Sequence, residues 1–245
     1  MLGRVRYLTP GEKREKPEHG ASVLTAFQVI RDLIVHGNIA PGTWITESDL
    51  AERLNLSRTP VRAAILWLQR EGYVLDHHSG VKSKLLVSPL TREDANELYS
   101  IIGHLEGLAG RGAAEMPKRE RLELSTQLRE VNQRLLTIAA GRSALSSDIF
   151  ESDRNFHRLI VKAGAGPRLS KLHKAIEPQT ERYWRLYASS IIDALNSSVD
   201  EHKAIIDGVV AGDPDAVEKG LQENWRRGAE RLGHVIDMFG ERGSW

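Results

Sequence analysis

Thr46-Glu47-Ser48-Asp49-Leu50-Ala51-Glu52-Arg53-Leu54-Asn55-Leu56-Ser57-Arg58-Thr59-Pro60-Val61-Arg62 reads as two short helices joined by a tight turn. Thr46 with Asp49 is a capping-box-like start, and Leu50, Ala51 and Leu54 give the first helix one apolar face. Asn55 stands where the chain must reverse, and Asn tolerates a left-handed conformation second only to glycine. Ser57 is placed to cap the next helix, with Pro60 in its first turn, where a missing N–H costs little. Val61, Ala64, Ile65 and Leu68 then share a stripe, while Arg58 and Arg62, one turn apart, project together from its flank. Two guanidiniums near a helix N-terminus suit guanine edges or phosphates in a major groove, which is the layout of a helix-turn-helix.

Working outward, the second helix stops before Gly72. A strand, a turn at Ser79-Gly80 and a second alternating run to Val87 then predict a β-hairpin wing. His77, His78, Lys82 and Lys84 make that wing cationic, fit to approach a phosphate or a minor groove. Residues 23–90 resemble the winged helix of the GntR transcription regulators. The match rests on Ile30-Arg31-Asp32-Leu33-Ile34, Pro41-Gly42, Leu50-Ala51-Glu52-Arg53-Leu54, Ser57-Arg58-Thr59-Pro60-Val61-Arg62, Leu68, Glu71-Gly72 and Gly80. The DNA-contact candidates are therefore Ser57, Arg58, Thr59 and Arg62 on the helix and His78, Gly80 and Lys82 on the wing. The chain departs from the family at Ser48, where Arg is usual, and at Ala63, where Glu is usual.

Composition narrows the class. Lys plus Arg number 34 against 33 for Asp plus Glu, so any basic patch for nucleic acid must be local. With no Cys there is no disulfide framework and no thiolate site. No apolar run approaches a membrane span and no signal-peptide core follows the polar start, so the expectation is a cytoplasmic protein. Residues 1–19 mix Gly, Pro and both charges without apolar period and read as a flexible arm. Residues 20–90 form the winged-helix domain, and Ser88-Pro89-Leu90-Thr91 is a linker whose Thr caps the next helix. Residues 91–240 show no strand pattern and predict an all-α helical bundle, making the whole mainly α. Its helices are expected over 92–114, 118–140, 147–163, 167–190, 197–211 and 214–239. Breaks are expected at Met116-Pro117, Gly141, Gly164-Ala165-Gly166-Pro167, Asn196-Ser197-Ser198 and Gly212-Asp213-Pro214.

Within that bundle Asp153 and His157 are four apart and share the inward face with Phe156 and Ile160, with Arg154, Asn155, Arg158 and Lys162 opposite. His202 lies on a stripe with Ile205, Ile206 and Val209, while Lys203 and Asp207 face out. Asn224 shares a stripe with Val217, Leu221, Gly228 and Val235. An acid and two imidazoles turned into a helical core need partners. They are adequate ligands for a divalent transition metal; the alternative is a core cluster that satisfies itself by hydrogen bonds.

Leu98-Tyr99, Leu105-Glu106, Asp153 with Phe156-His157, Glu201-His202 with Ile205, and Gly212-Asp213 resemble the all-helical effector domain of the FadR subfamily, called FCD. With the winged helix, the resemblance covers residues 23 to about 235. It implies a metal set in which Asp153, His157 and His202 match three ligands and Asn224 stands where a further His is usual. An amide oxygen is a weaker, harder ligand than imidazole. Zinc or nickel is thereby weakened as an expected cofactor, while manganese, magnesium, calcium or a metal-free pocket gain. Ile102 stands where relatives often place an Arg for an effector carboxylate, and Arg231, two turns from Asn224 on one face, is the substitute candidate. His104, Tyr183, Trp184 and Tyr187 are candidates for lining a pocket.

The expected function is a ligand-responsive regulator that binds a palindromic double-stranded operator as a homodimer, with a small metabolite as effector and no membrane partner. Two other readings compete. A metal-dependent enzyme would use the same Asp and His residues, but beyond them no inward Glu or His is evident as a general base. A constitutive architectural DNA-binder would leave them without a purpose.

Overall fold

The computed structural model describes residues 19–79, 82–140, 146–191 and 195–243. Helix α1 (His19–Val35) is followed by β1 (Trp44–Ile45), α2 (Glu47–Leu54), α3 (Arg58–Arg70), β2 (Val74–Ser79) and β3 (Lys82–Val87). Apart from His19, which belongs to α1, the arm expected over residues 1–19 lies outside the described residues. The Thr46 hydroxyl accepts from Asp49 N–H at 3.1 Å and caps α2. Asn55, at φ 52°, is the only non-glycine residue with positive φ among the described residues, so one residue makes the reversal into α3.

Ser57 occupies the N-cap position of α3 but makes no side-chain capping bond, contrary to the expectation. The reason is local: the third helical residue, whose N–H such a cap would usually satisfy, is Pro60 and has none. Strands β2 and β3 form the expected hairpin, antiparallel from Val74↔Val87 to Ser79↔Lys82. Strand β1 adds to the other edge of β3 and is not legible in the sequence, because two residues are too few to show a period. Ile30, Val61, Ala64, Leu68, Tyr73 and Val87, each fully buried, hold helices and sheet together.

The second half contains α4 (Arg92–Ala114), α5 (Lys118–Ala140), α6 (Ser146–Gly164), α7 (Pro167–Ile191), α8 (Leu195–Ala211) and α9 (Pro214–Phe239). Thr91 caps α4, and Asp213 caps α9 with Pro214 at its first position. The break expected at Asn196-Ser197-Ser198 falls inside α8, where polar residues are tolerated in a first turn as well as before it. Gly141 lies outside the described residues.

Helix α4 packs most extensively on α9. Glycines allow the approach: a Cβ on Gly110 would come within 2.5 Å of Leu221 Cδ1, and one on Gly107 within 3.1 Å of Glu218 Cγ. Helix α7 touches both halves of the molecule. The Arg182 guanidinium donates to the Ser88 carbonyl at 2.6 Å and lies over the Tyr73 ring, while Tyr183 Oη donates to Asp94 and accepts from Thr91 N–H. After α9 the chain returns to the linker, where Leu90 and Arg242 exchange backbone hydrogen bonds.

Candidate functional site

Asp153 and His157 on α6 meet His202 on α8, and one ligand atom from each lies within 4.8 Å of the others. The inward face read from the helical spacing thus brings all three together. His202 is fully buried and stacks flat on Phe156, with ring centroids 3.8 Å apart and 6° between planes. Its tautomer follows from its neighbours. Asn132 Nδ2 donates to the Val199 carbonyl, so Asn132 Oδ1 faces His202 Nδ1 at 3.1 Å and makes that nitrogen the donor. His202 Nε2 is buried without any hydrogen-bond partner. Asp153 Oδ1 stands 3.6 Å away, too far to serve as one.

His157 Nδ1 lies 2.5 Å from Glu106 Oε2 on α4, which leaves its Nε2 for the cluster. Burial alone would lower the His157 pKa, but the Glu106 charge and hydrogen bond outweigh it and raise the pKa to about 9. Glu106, which burial would raise, is held down at about 2 by His157 and His173. Burial and then the His157 charge push His202 well below the ordinary histidine value, so it stays neutral and ready to ligate. Burial raises the Asp153 pKa against the pull of His157. No inward Glu or further His beside the ligands is evident from the sequence as a general base. The structure corrects this with Glu106 and His173, 1% and 3% exposed. Glu106 accepts from His157, His173 and Trp225, so it is committed to hydrogen bonds and is not a free base.

A pocket of about 70 Å³ adjoins the cluster, room for a cation with its waters or a compact polar group. Asp153, His157, Asn224 and Arg231 line it, with Phe150 and Trp184 among its aromatic walls. Asn224 Nδ2 donates to Glu201 at 2.7 Å, so its Oδ1 is the end left for a ligand. Arg231 reaches the pocket already paired, at 3.0 Å from Glu201 Oε1 and within reach of the Ser197 and Ser198 hydroxyls. Arg154, expected on the outer side, lines the pocket too and binds Glu151 and Glu181. Of the aromatic candidates only Trp184 lines this pocket. Tyr183 and Tyr187 are buried between α4, α7 and α9, and His104 is exposed with Nδ1 2.7 Å from the Ser100 carbonyl. Ile102 is fully buried.

In the winged helix, Ser57, Arg58, Thr59 and Arg62 are all exposed at the start of α3. Arg62 Nε donates to both Glu47 oxygens at 2.8 and 3.0 Å, an exposed pair that competes only weakly with a phosphate or base. His78 and Lys82 have their backbones in the β2–β3 ladder, and Gly80 lies outside the described residues.

Comparison with known proteins agrees with this architecture. Residues 23–80 match the model of the gntR family of bacterial regulatory proteins, and residues 97–227 match the FCD domain. The chain is 24% identical over 216 residues to the HTH-type transcriptional regulator YdhC of Bacillus subtilis, covering 87% of this chain and 92% of that one. It is 28% identical over 204 residues to the probable D-xylose utilization operon transcriptional repressor of Paenarthrobacter nicotinovorans, covering 80% and 84%. The fold is similar to that of Escherichia coli McbR/YncC, with a TM-score of 0.64 at 18% identity over 89% of this chain and 99% of that one. The chain belongs to the GntR family of bacterial regulators and carries an FCD domain. It is a DNA-binding, ligand-responsive transcription regulator and not an enzyme, the class its family and relatives share.

Proposed function

We propose that the protein is a FadR-subfamily regulator that binds a palindromic operator as a cytoplasmic homodimer. Its DNA affinity is set by a divalent metal and a small metabolite in the helical domain. The domains divide at residues 20–90 and 91–240. The observation that carries the metal reading is His202 Nε2, buried and unpartnered beside Asp153 and His157. An orphaned buried nitrogen costs about 1–3 kcal/mol, a cost that ligation removes. Asp153, His157 and His202 hold the ion, with Asn224 Oδ1 a weak fourth ligand, and the donor set suits zinc, nickel or manganese. A bound divalent cation would supply a Lewis-acidic anchor for an effector oxygen.

Arg231 is the candidate effector contact, in competition with Glu201. An effector seated there touches α7 through Thr180 and Trp184, while Gln179 and Arg182 on the same helix lie against the winged helix at Gly72 and Ser88. Ligand binding thus selects one placement of the DNA-binding domain on the helical domain. At the DNA, Ser57, Arg58, Thr59 and Arg62 enter the major groove, with His78, Gly80 and Lys82 on the backbone or minor groove. Among the described residues no helix is long and apolar enough to cross a membrane.

The test is operator binding by fluorescence anisotropy, using DNA from around the protein's own gene, with added zinc, nickel or manganese, with chelator, and with a metabolite panel. Affinity that shifts with at least one metabolite and with chelator supports the reading. Affinity indifferent to chelator, in protein that elemental analysis finds metal-free, sinks the metal part.

A further inference from the structure

Glu106 ligates nothing in the proposed metal set, yet its buried carboxylate is held by donors from three other helices. Its carboxylate accepts from His157 Nδ1 at 2.5 Å and Trp225 Nε1 at 2.7 Å on Oε2, and from His173 Nε2 at 2.9 Å on Oε1. These donors come from α6, α9 and α7. An indole N–H can only donate. The atom facing Trp225 must therefore be an acceptor; as a carboxylate oxygen it has no proton to give, so His157 Nδ1, which shares that atom, is the donor. His157 Nε2 is then the only ring nitrogen that can offer a lone pair, and it is the one left for the side shared with Asp153 and His202.

The second imidazole is fixed in the same way by an independent network. Asn132, pinned by the Val199 carbonyl, takes the Nδ1 proton of His202 and leaves Nε2. Two unrelated acceptors, each with its polarity fixed by a third group, thus leave the same nitrogen on both rings. Packing alone gives no reason for this. A carboxylate buried this deeply costs more desolvation than an apolar side chain of the same volume joining α4 to α6, α7 and α9.

We propose that Glu106, locked by Trp225 and His173, is a positioning residue that makes His157 present Nε2 to a divalent cation shared with Asp153 and His202. The proposal rests on the metal reading of Asp153, His157 and His202. Glu106 keeps the imidazole in one tautomer and one orientation, and its negative charge makes the ring a stronger donor.

The experiment uses the full-length protein, Glu106→Gln and Glu106→Leu, with zinc affinity measured against a chromophoric chelator and folding checked by thermal unfolding. Loss of such a partner typically weakens binding about 10- to 100-fold. Glu106→Gln should fall near the lower figure, because Trp225 forces the amide oxygen into the Oε2 place and keeps an acceptor for His157, while the charge is lost and His173 Nε2 must turn acceptor towards the new amide N–H. Glu106→Leu should fall near the higher one. Proton NMR of the cobalt(II)-loaded wild type in water should show two strongly shifted, exchangeable ring N–H signals, from His157 and His202. Glu106→Gln should retain both, and Glu106→Leu should lose or broaden one, a change that a purely structural Glu106 would not produce. Should Glu106→Leu fail to fold, the affinity of Glu106→Gln decides. Zinc affinity equal to wild type in the folded variants, with unchanged N–H signals, overturns this inference alone. A wild type that takes up neither zinc nor cobalt overturns the metal reading and this inference with it.

Discussion

His157 and Glu106 form a buried ion pair, and their pKa values set a pH window for the metal-free protein. His157 rises from 6.5 to about 9, so its contribution to stability is complete below 6.5 and is lost as pH climbs through about 9. Glu106 falls from 4.5 to about 2, so its contribution is present above 4.5 and is lost as pH drops through about 2. Because the two shifts describe one pair, metal-free protein should show its highest Tm between these limits, declining towards pH 9. His157→Phe should flatten the alkaline side; a Tm that still falls equally there would show the pair is not responsible. The same proton must leave before metal binds, so zinc affinity should rise with pH roughly tenfold per unit through the neutral range. Asn224 offers the complementary test. Asn224→His should raise zinc or nickel affinity by supplying a nitrogen donor where only an amide oxygen stands, and His157→Ala should abolish binding. Equal affinity in wild type and Asn224→His, by chelator competition, would place residue 224 outside the ligand set.

Helix α3 and helix α7 do different work, and each can be tested alone. On α3 the exposed Arg58 and Arg62 are expected to read DNA, so alanine at either should weaken operator binding roughly five- to a hundredfold with the fold intact. Arg62 must first leave Glu47, so Glu47→Gln should strengthen binding or leave it unchanged; anisotropy that shows a loss instead would mean the pair itself positions α3. On α7, Arg182→Ala removes the guanidinium from the Ser88 carbonyl and the Tyr73 ring without touching the pocket lining. Effector affinity should survive while its influence on DNA binding weakens; undiminished coupling would exclude Arg182 from the path between the domains.

The same elements show how much of the molecule is legible in its sequence. The ends of α4 and α9 are readable because Thr91, Asp213 and Pro214 are local signals, and Asp153 with His157 because four residues make one helical turn. Glu106 is not, because its partners His157, His173 and Trp225 lie 51, 67 and 119 residues away on other helices. Nor are the missing Ser57 cap bond and the pairing of Arg231 with Glu201, which depend on what stands opposite.

For the whole molecule, a single α3 presents too few side chains to select one site from a genome, and a two-fold dimer doubles the contacts with one symmetric operator. Sedimentation should therefore show a dimer at micromolar concentration, free or on DNA; a strict monomer in both states would contradict the two-fold arrangement. Regulation by ligand adds a sharper requirement. If effector in the pocket and operator at α3 bias the same two arrangements of the domains, their effects are one coupling free energy seen from two ends. The factor by which saturating effector changes operator affinity must equal the factor by which saturating operator changes effector affinity, typically about 5- to 150-fold. Isothermal titration of effector into free and operator-bound protein measures one, and anisotropy with and without effector measures the other. Disagreement beyond error would mean that the effector acts by a route other than this two-state placement, such as blocking the DNA face directly or dissociating the dimer.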